Sequence, residues 1–363
     1  MNQPPVRGGR TGIVQRIFPT ASVFILALLV LAPGAETFAQ DSEVDRVAIV
    51  APASRTNQGW DQQGTDNLVA VGDELGIDVD VAENAGYDDI TPILDDLAGE
   101  GADLIVCHAS GYQTVCPEFA EERRVPVVVI ENPGAVEAGL VSDIETQAQE
   151  AAFLAGVAAG LETRSGTVAV VVSGEPPTWN FMTVGFAEGL HSVRPDAQLL
   201  YQVIGEAAYD DAPNAKRSTE TVIAAGADIV FGMGDGASFG MIQAIRDYNQ
   251  GRPADQQVRF IDVIGDKSGS EAGEHLLTSV LFDYRTAYKT LITDLQNGTF
   301  GTVYTMSLEN GGVSLLPFPD TVEKTTSAAV EKAKQAIIAD DTEVSSVGDA
   351  EGVRKRLDEL FPS

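Results

Sequence analysis

The sequence predicts an α/β protein built as two similar, Rossmann-like lobes with a ligand cleft and a hinge between them. Three observations point there: an internal repeat, apolar runs alternating with amphipathic helices, and a length beyond one core. The first repeat copy runs from Tyr87-Asp88-Asp89 through ITPILDDLAGE to Gly101-Ala102-Asp103 and the run LIVC. The second runs from Tyr209-Asp210-Asp211 through APNAKRSTETVIAA to Gly226-Ala227-Asp228 and IVFG. Each reads as a helix, a turn and a short β-branched run, the pattern of a strand buried on both faces. Two unrelated βα units sharing a common turn are the alternative reading. The strands open into loops of small residues, HASGY (108–112) and GMGDGAS (232–238). Ligands of open α/β sheets settle outside the carboxyl ends of strands. Ser110, Tyr112, Gly234 and Asp235 are therefore candidate cleft residues.

Along the chain, a first strand at Val47–Ala51 leads into the loop PASRTNQGWDQQ and a helix through Asn67–Leu75, stopped at Gly76. Trp60 stands there among Asn57, Gln58 and Asp61, a ring for stacking beside edges for hydrogen bonds. A tryptophan packed over the helix start, with those polar residues as caps, is the alternative. Strands follow at Ile77–Val81, the first repeat copy, Val125–Ile130 and Gly139–Val141, then a helix from Thr146 to about Leu161. The second half opens with strand Thr167–Val172 and the loop SGEPPTWNFMTVGF, which carries Trp179 and Phe181. After the second repeat copy come strands Arg259–Ile264 and Leu277–Phe282 and helix Thr286–Asn297, stopped at Gly298. Asn310-Gly311 within TVYTMSLENGGVSLLPF is a strong hairpin signal. Charged amphipathic helices at Ser327–Ala339 and Glu351–Leu360 close the chain. The expected division is residues 45–143 with 266–281 as one lobe, 144–265 with 282–320 as the other, and 321–363 as a helical extension.

Residues 1–39 read as a secretory signal peptide rather than as fold. Arg7, Arg10 and Arg16 precede an apolar stretch at Ala21–Leu31, and Thr37-Phe38-Ala39 offers a cleavage site. That stretch is shorter than the about 20 residues a membrane span needs. A periplasmic protein with no lipid attachment cysteine is expected. Cleavage takes three Arg and one Glu from 23 basic and 54 acidic residues, leaving 20 and 53 and a net charge of −33. Such a surface repels nucleic acid and anionic membranes. The 324 residues that remain exceed what one core supports, so two lobes are expected. Cys107 and Cys116 lie where a bridge could form, and their spacing also fits two buried thiols. Two cysteines and the scattered His108, His191 and His275 give no metal-ligand spacing.

Metalloprotease, redox-dithiol and P-loop grammar is missing: there is no HExxH, CxxC or Walker loop. Gly232, Gly234 and Gly236 lack the third glycine of a dinucleotide fingerprint, where Phe239 stands. An exported two-lobed protein of this kind is most economically a receptor, closing by a hinge over a small-molecule solute with no cofactor and no catalysis. A monomer is expected.

The order of motifs resembles the basic membrane protein family of exported solute receptors, over about Val47 to Pro317. The first loop of that family corresponds to Asn57-Gln58-Gly59-Trp60-Asp61-Gln62, in register up to Glu74-Leu75-Gly76. Its YLAGVAA helix appears as Phe153-Leu154-Ala155-Gly156-Val157-Ala158-Ala159, and FxxGFxxG as Met182 to Gly189. GADV appears as Gly226–Ile229, the late LTS strand as Leu277-Thr278-Ser279, and GLxxGGV as Ser307 to Val313. The resemblance implies a periplasmic-binding-protein type I-like fold, an ABC permease as partner, and a purine nucleoside as solute. It implies a purine stacked between Trp60 and either Phe181 or Trp179, with Asp61 and Asn57 reading the base edge and Asp266 holding ribose hydroxyls. The sequence departs from the family pattern near the ligand. Asn57 and Asp61 stand as if exchanged, Ile264 replaces a carboxylate, and Phe282 replaces a lysine. Those changes remove polar capacity on the sugar side, so a nucleobase or another flat heterocycle fits them better.

Overall fold

A computed structural model describes residues 43–362. The signal-peptide reading of residues 1–39 lies outside them. The first half runs β1 (Arg46–Val50), α1 (Trp60–Leu75), β2 (Asp78–Ala82), α2 (Thr91–Gly99), β3 (Leu104–Cys107), α3 (Val115–Arg123), β4 (Val127–Ile130) and β5 (Val141–Thr146). The second runs α4 (Ala148–Glu162), β6 (Thr167–Val172), α5 (Pro177–Val193), β7 (Gln198–Val203), α6 (Ala212–Ala224), β8 (Ile229–Met233), α7 (Ser238–Asn249), β9 (Arg259–Ile264) and β10 (Leu276–Phe282). Then come α8 (Arg285–Gln296), β11 (Val303–Met306), β12 (Val313–Leu315), α9 (Lys324–Ile338) and α10 (Ala350–Leu360).

Two six-stranded sheets result, ordered β11-β5-β4-β3-β1-β2 and β12-β10-β9-β8-β6-β7. The orders are equivalent strand for strand. Only the last strand differs, since β11 lies parallel to β5 and β12 antiparallel to β10. Central strands such as LIVC and VVVI are buried at every residue, as helices on both faces of a parallel sheet require. Edge strands β2 and β7 carry Asp78, Asp80 and Gln198 and are only half covered.

The repeat has a physical basis in both sheets. Gly101 and Gly226 adopt φ of 92° and 103°, a turn conformation that other residues enter only with strain. The aspartate two residues on then pins the start of the neighbouring strand or the turn before it. Asp103 accepts the backbone N–H groups of Asp45 and Arg46 at 2.9 and 3.1 Å. Asp228 accepts those of Arg164 and Ser165 at 2.7 and 2.9 Å, and the Thr163 hydroxyl at 2.6 Å. At the front of each copy, Asp89, just before α2, accepts Thr91 N, and Asp211, the N-cap of α6, accepts Asn214 N, both at 3.0 Å.

The path between lobes differs from the sequence expectation. β10 continues alongside β9, with Ser279 opposite Asp262, so residues 276–282 belong to the second sheet and not to the first. α8 returns to pack on α1, where Asn67 Oδ1 accepts Tyr284 N at 2.8 Å. β11 joins the first sheet, so residues 282–320 do not stay in one lobe. The expected hairpin is absent. Asn310-Gly311-Gly312 forms a turn, with Gly311 at φ 75°, but it joins strands of different sheets. The chain therefore crosses between lobes three times, at β5–α4, β10–α8 and β11–β12.

The tail forms helices as expected and braces the second lobe. Asn180 Nδ2 donates to the Gly348 carbonyl at 2.9 Å, Arg354 pairs with Glu175 at 2.9 Å, and Arg356 with Glu188 at 2.8 Å. These contacts hold α5 and the residues just before it, and the first turn of α5 forms one wall of the cleft described below. Cys107 and Cys116 are joined in a disulfide, resolving the two readings of their spacing. Among the described residues, no helix is long and apolar enough to cross a membrane.

Candidate functional site

The carboxyl ends of both sheets face one cleft with about 560 Å³ of empty space, part of it open to solvent. Aromatic rings line it from both sides: Trp60 and Tyr87 from the first lobe, Trp179 and Tyr209 from the second. Asp61 and Glu131 from the first lobe and Asp235 from the second add three carboxylates.

Trp60 is the first residue of α1, and its indole is held from behind. The His108 imidazole stacks on it with centroids 4.9 Å apart, and Phe282 and Tyr284 meet it edge-on at 6.1 and 6.0 Å. His108 Nε2 donates to the Trp60 carbonyl at 2.9 Å, and Trp60 Nε1 donates to the His108 carbonyl at 3.3 Å. Full burial lowers the His108 pKa to about 4, so this support is a neutral imidazole. The other indole face is left toward the cleft. Phe282, where the family pattern has a lysine, thus serves as packing for the ring.

The lobes touch through reciprocal carboxylate contacts. Gly59, the N-cap of α1, offers no capping side chain, and Asp235 of the other lobe accepts Trp60 N at 2.9 Å instead. A carboxylate at a helix N-terminus satisfies an orphan donor and meets the positive end of the helix dipole. Any side chain at Gly59 would press on Asp235, its Cβ falling 2.5 Å from Oδ1. In the opposite direction, the Thr178 hydroxyl of α5 donates to Glu131, which also receives Thr146 Oγ1 at 3.3 Å. The two halves are therefore closed on each other.

Burial dominates the titration of these acids. The Asp235 carboxyl is pushed up to about 7 by loss of water and then by nearby Asp61, against the Trp60 N–H and the more distant Lys267. Burial likewise raises Asp61, although its oxygens accept Ala53 N at 3.0 Å and Asn57 Nδ2 at 2.7 Å. Burial raises Glu131 as well, opposed by the hydroxyls of Thr178 and Thr146.

Of the residues singled out from sequence, Trp60, Asp61, Ser110, Trp179 and Asp235 come together in the cleft. Six do not line it. Asn57 is turned onto Asp61 as its hydrogen-bond donor. Gln58, at φ 57°, lies against Gly265 and faces a separate surface depression. Tyr112 is buried and donates to the Gly86 carbonyl at 2.5 Å, propping the loop that carries Tyr87. Phe181 rests on Gly348 of the tail, because two residues along a helix turn the side chain through about 200° from Trp179. Gly234 packs against Ser173 and Ala237. Asp266 caps Ser268 N at 2.8 Å. Sequence reasoning missed Tyr87, Tyr209, Glu131 and Thr178. The two tyrosines open the repeat copies, so the duplicated YDD was itself the available signal.

The arrangement holds a flat guest between rings and offers it hydrogen-bond acceptors. The family model described as "Bmp: ABC transporter substrate-binding protein PnrA-like" matches residues 44–347. The transcriptional activator protein med of Bacillus subtilis is 24% identical over 319 residues, 86% of this chain and 95% of that protein. The ABC transporter nucleoside-binding protein BmpA of Lactococcus lactis is 26% identical over 200 residues, 52% of this chain and 56% of that protein. Among solved structures, an ABC transporter solute-binding protein from Aeropyrum pernix superposes with a TM-score of 0.75 at 18% identity, covering 87% of this chain and 97% of that one. Two sheets of matching strand order, parallel but for β12, closing on one cleft agree with that match, and the chain belongs to the Bmp family of PnrA-like ABC transporter substrate-binding proteins.

Proposed function

We propose that this protein is an exported receptor that captures a flat heterocycle, a purine nucleoside being the leading candidate, and passes it to an ABC permease without transforming it. The observation that carries the reading is the placement of aromatic rings from both lobes on one cleft: Trp60 and Tyr87 opposite Trp179 and Tyr209. Stacking suits a purine because each face of the base meets a π-surface. Asp61 and Glu131 suit its amino and hydroxyl donors, since a carboxylate retains acceptor capacity beyond the bonds it already makes. The lining includes no lysine or arginine, which disfavours phosphorylated nucleotides.

A thermal-shift panel of adenosine, guanosine, inosine and free nucleobases tests the solute class. A ligand present at 100 times its Kd stabilises the folded state by about 2.7 kcal/mol, seen as a clear rise in Tm. No shift across the panel removes the purine assignment. Trp60→Ala is expected to weaken binding by about 1–3 kcal/mol, roughly 5- to 150-fold, as the stacking surface is lost. Unchanged affinity in that variant would move the platform elsewhere. Release of free base from a bound nucleoside would instead make the protein a hydrolase.

The likeness to med over almost its full length favours a second reading, in which the loaded receptor signals rather than feeds a permease. Ligand-dependent capture of a permease, as against a membrane-bound sensor, separates the two.

A further inference from the structure

We propose that the guest this cleft prefers is a flat heterocycle bearing a formal positive charge. The inference rests on the reading of the cleft as the solute site and narrows the class of solute. Asp61, Glu131 and Asp235 all face the cavity, and no lysine, arginine or histidine is among its lining residues. The nearby basic side chains are already committed. Lys267 is buried and paired with Asp262 at 2.5 Å. His108, behind the indole, is neutral and bonded to the Trp60 carbonyl. What reaches the guest is negative charge and the negative faces of four rings.

A closed cleft that strips water from three carboxylates is unfavourable unless something compensates their charge. Hydrogen bonds compensate part of it: Asp235 takes the Trp60 N–H and Glu131 takes the Thr178 hydroxyl. A neutral base adds dipoles only. A cationic ring adds opposite charge to the acids and a cation–π contact to the indoles and phenols at once. It would also draw Asp235 back toward ionisation. The groups that set Asp235 are Asp61 on α1, Asp210 before α6, the Trp60 N–H and Lys267, with the Tyr87 and Tyr209 phenols close enough to respond to its charge. Because this carboxyl is held near 7, affinity for a cation should climb as pH rises through that value. A neutral guest should show no such climb.

The test uses solute-free protein and three probes: adenosine, 1-methyladenosine, which is cationic at neutral pH, and the neutral isomer N6-methyladenosine. Calorimetry at pH 6 and pH 8 is expected to give 1-methyladenosine at least about tenfold tighter binding than its isomer at pH 8, equivalent to about 1.4 kcal/mol. The ratio is expected to shrink at pH 6 and in Asp235→Asn. Equal or tighter binding of the neutral isomer at pH 8 overturns the charge preference while leaving the purine reading intact. If no purine binds, that reading fails, and a purine-free pair decides the present one. N-methylquinolinium binding more tightly than neutral quinoline supports the preference, and its failure to bind overturns it.

Discussion

Lys267→Met is expected to cost about 3–5 kcal/mol of stability, the penalty for stranding one partner of a buried ion pair. Lys267 and Asp262 are 1% and 0% exposed at the side chain, with Nζ 2.5 Å from Oδ2. Asp262 sits on β9, where the Ser238 hydroxyl also reaches it at 3.3 Å. Burial already raises the Asp262 carboxyl, and Lys267 is the largest opposing influence. Without the ammonium the aspartate must protonate or remain charged in an apolar setting. A carboxyl with a raised folded pKa binds its proton more tightly folded than unfolded, so its ionisation removes stability as pH rises. The deficit of the variant should therefore narrow in acid and widen toward neutral pH. Chemical denaturation at pH 5 and pH 7.5 checks both size and sign. Adding Asp262→Leu to the same chain should recover much of the loss, since a hydrophobic pair often replaces a buried ion pair at little cost. A loss below about 1 kcal/mol would mean the pair is solvated.

The paired change Cys107→Ser and Cys116→Ser is expected to cost about 2–3 kcal/mol, from the chain entropy of a loop this short. The bridge spans a sequence separation of 9 and ties the end of β3 to the first turn of α3. Between them lie His108, which supports the Trp60 indole, and Ser110, which lines the cleft. The same change should therefore weaken solute binding as well as lower Tm. Differential scanning calorimetry with and without reductant reads the first effect, and a solute titration reads the second. A lower Tm with unchanged affinity would confine the bridge to stability.

Much of the fold was legible because its signals are local. β6 and β9 coincide with their apolar runs, Thr167–Val172 and Arg259–Ile264, since turn residues bound both. The repeated Gly-Ala-Asp is legible for the same reason, one turn geometry serving each sheet. Sheet membership late in the chain was not legible. Nothing within Leu276–Phe282 names β9 as its partner, and Asn310-Gly311 makes the same turn whether or not its strands pair. In the site, position at a strand's carboxyl end found Trp60, Ser110 and Asp235. Side-chain direction decided the rest. Asn57, Phe181 and Asp266 are the right residue types in the right loops, but each is spent on Asp61, Gly348 or Ser268. Glu131 is placed by a positive φ of 58°, which sequence pattern does not announce.

Trp60 and Trp179 are the only tryptophans in the chain, and both line the cleft, one on each lobe. Titrating solute-free Trp60→Phe and Trp179→Phe with a bound heterocycle therefore reports each jaw separately by intrinsic fluorescence. Saturating changes are expected in both variants, each with the midpoint that calorimetry gives for that same variant. Calorimetric binding that leaves either remaining indole unmoved would contradict a guest held between the two lobes.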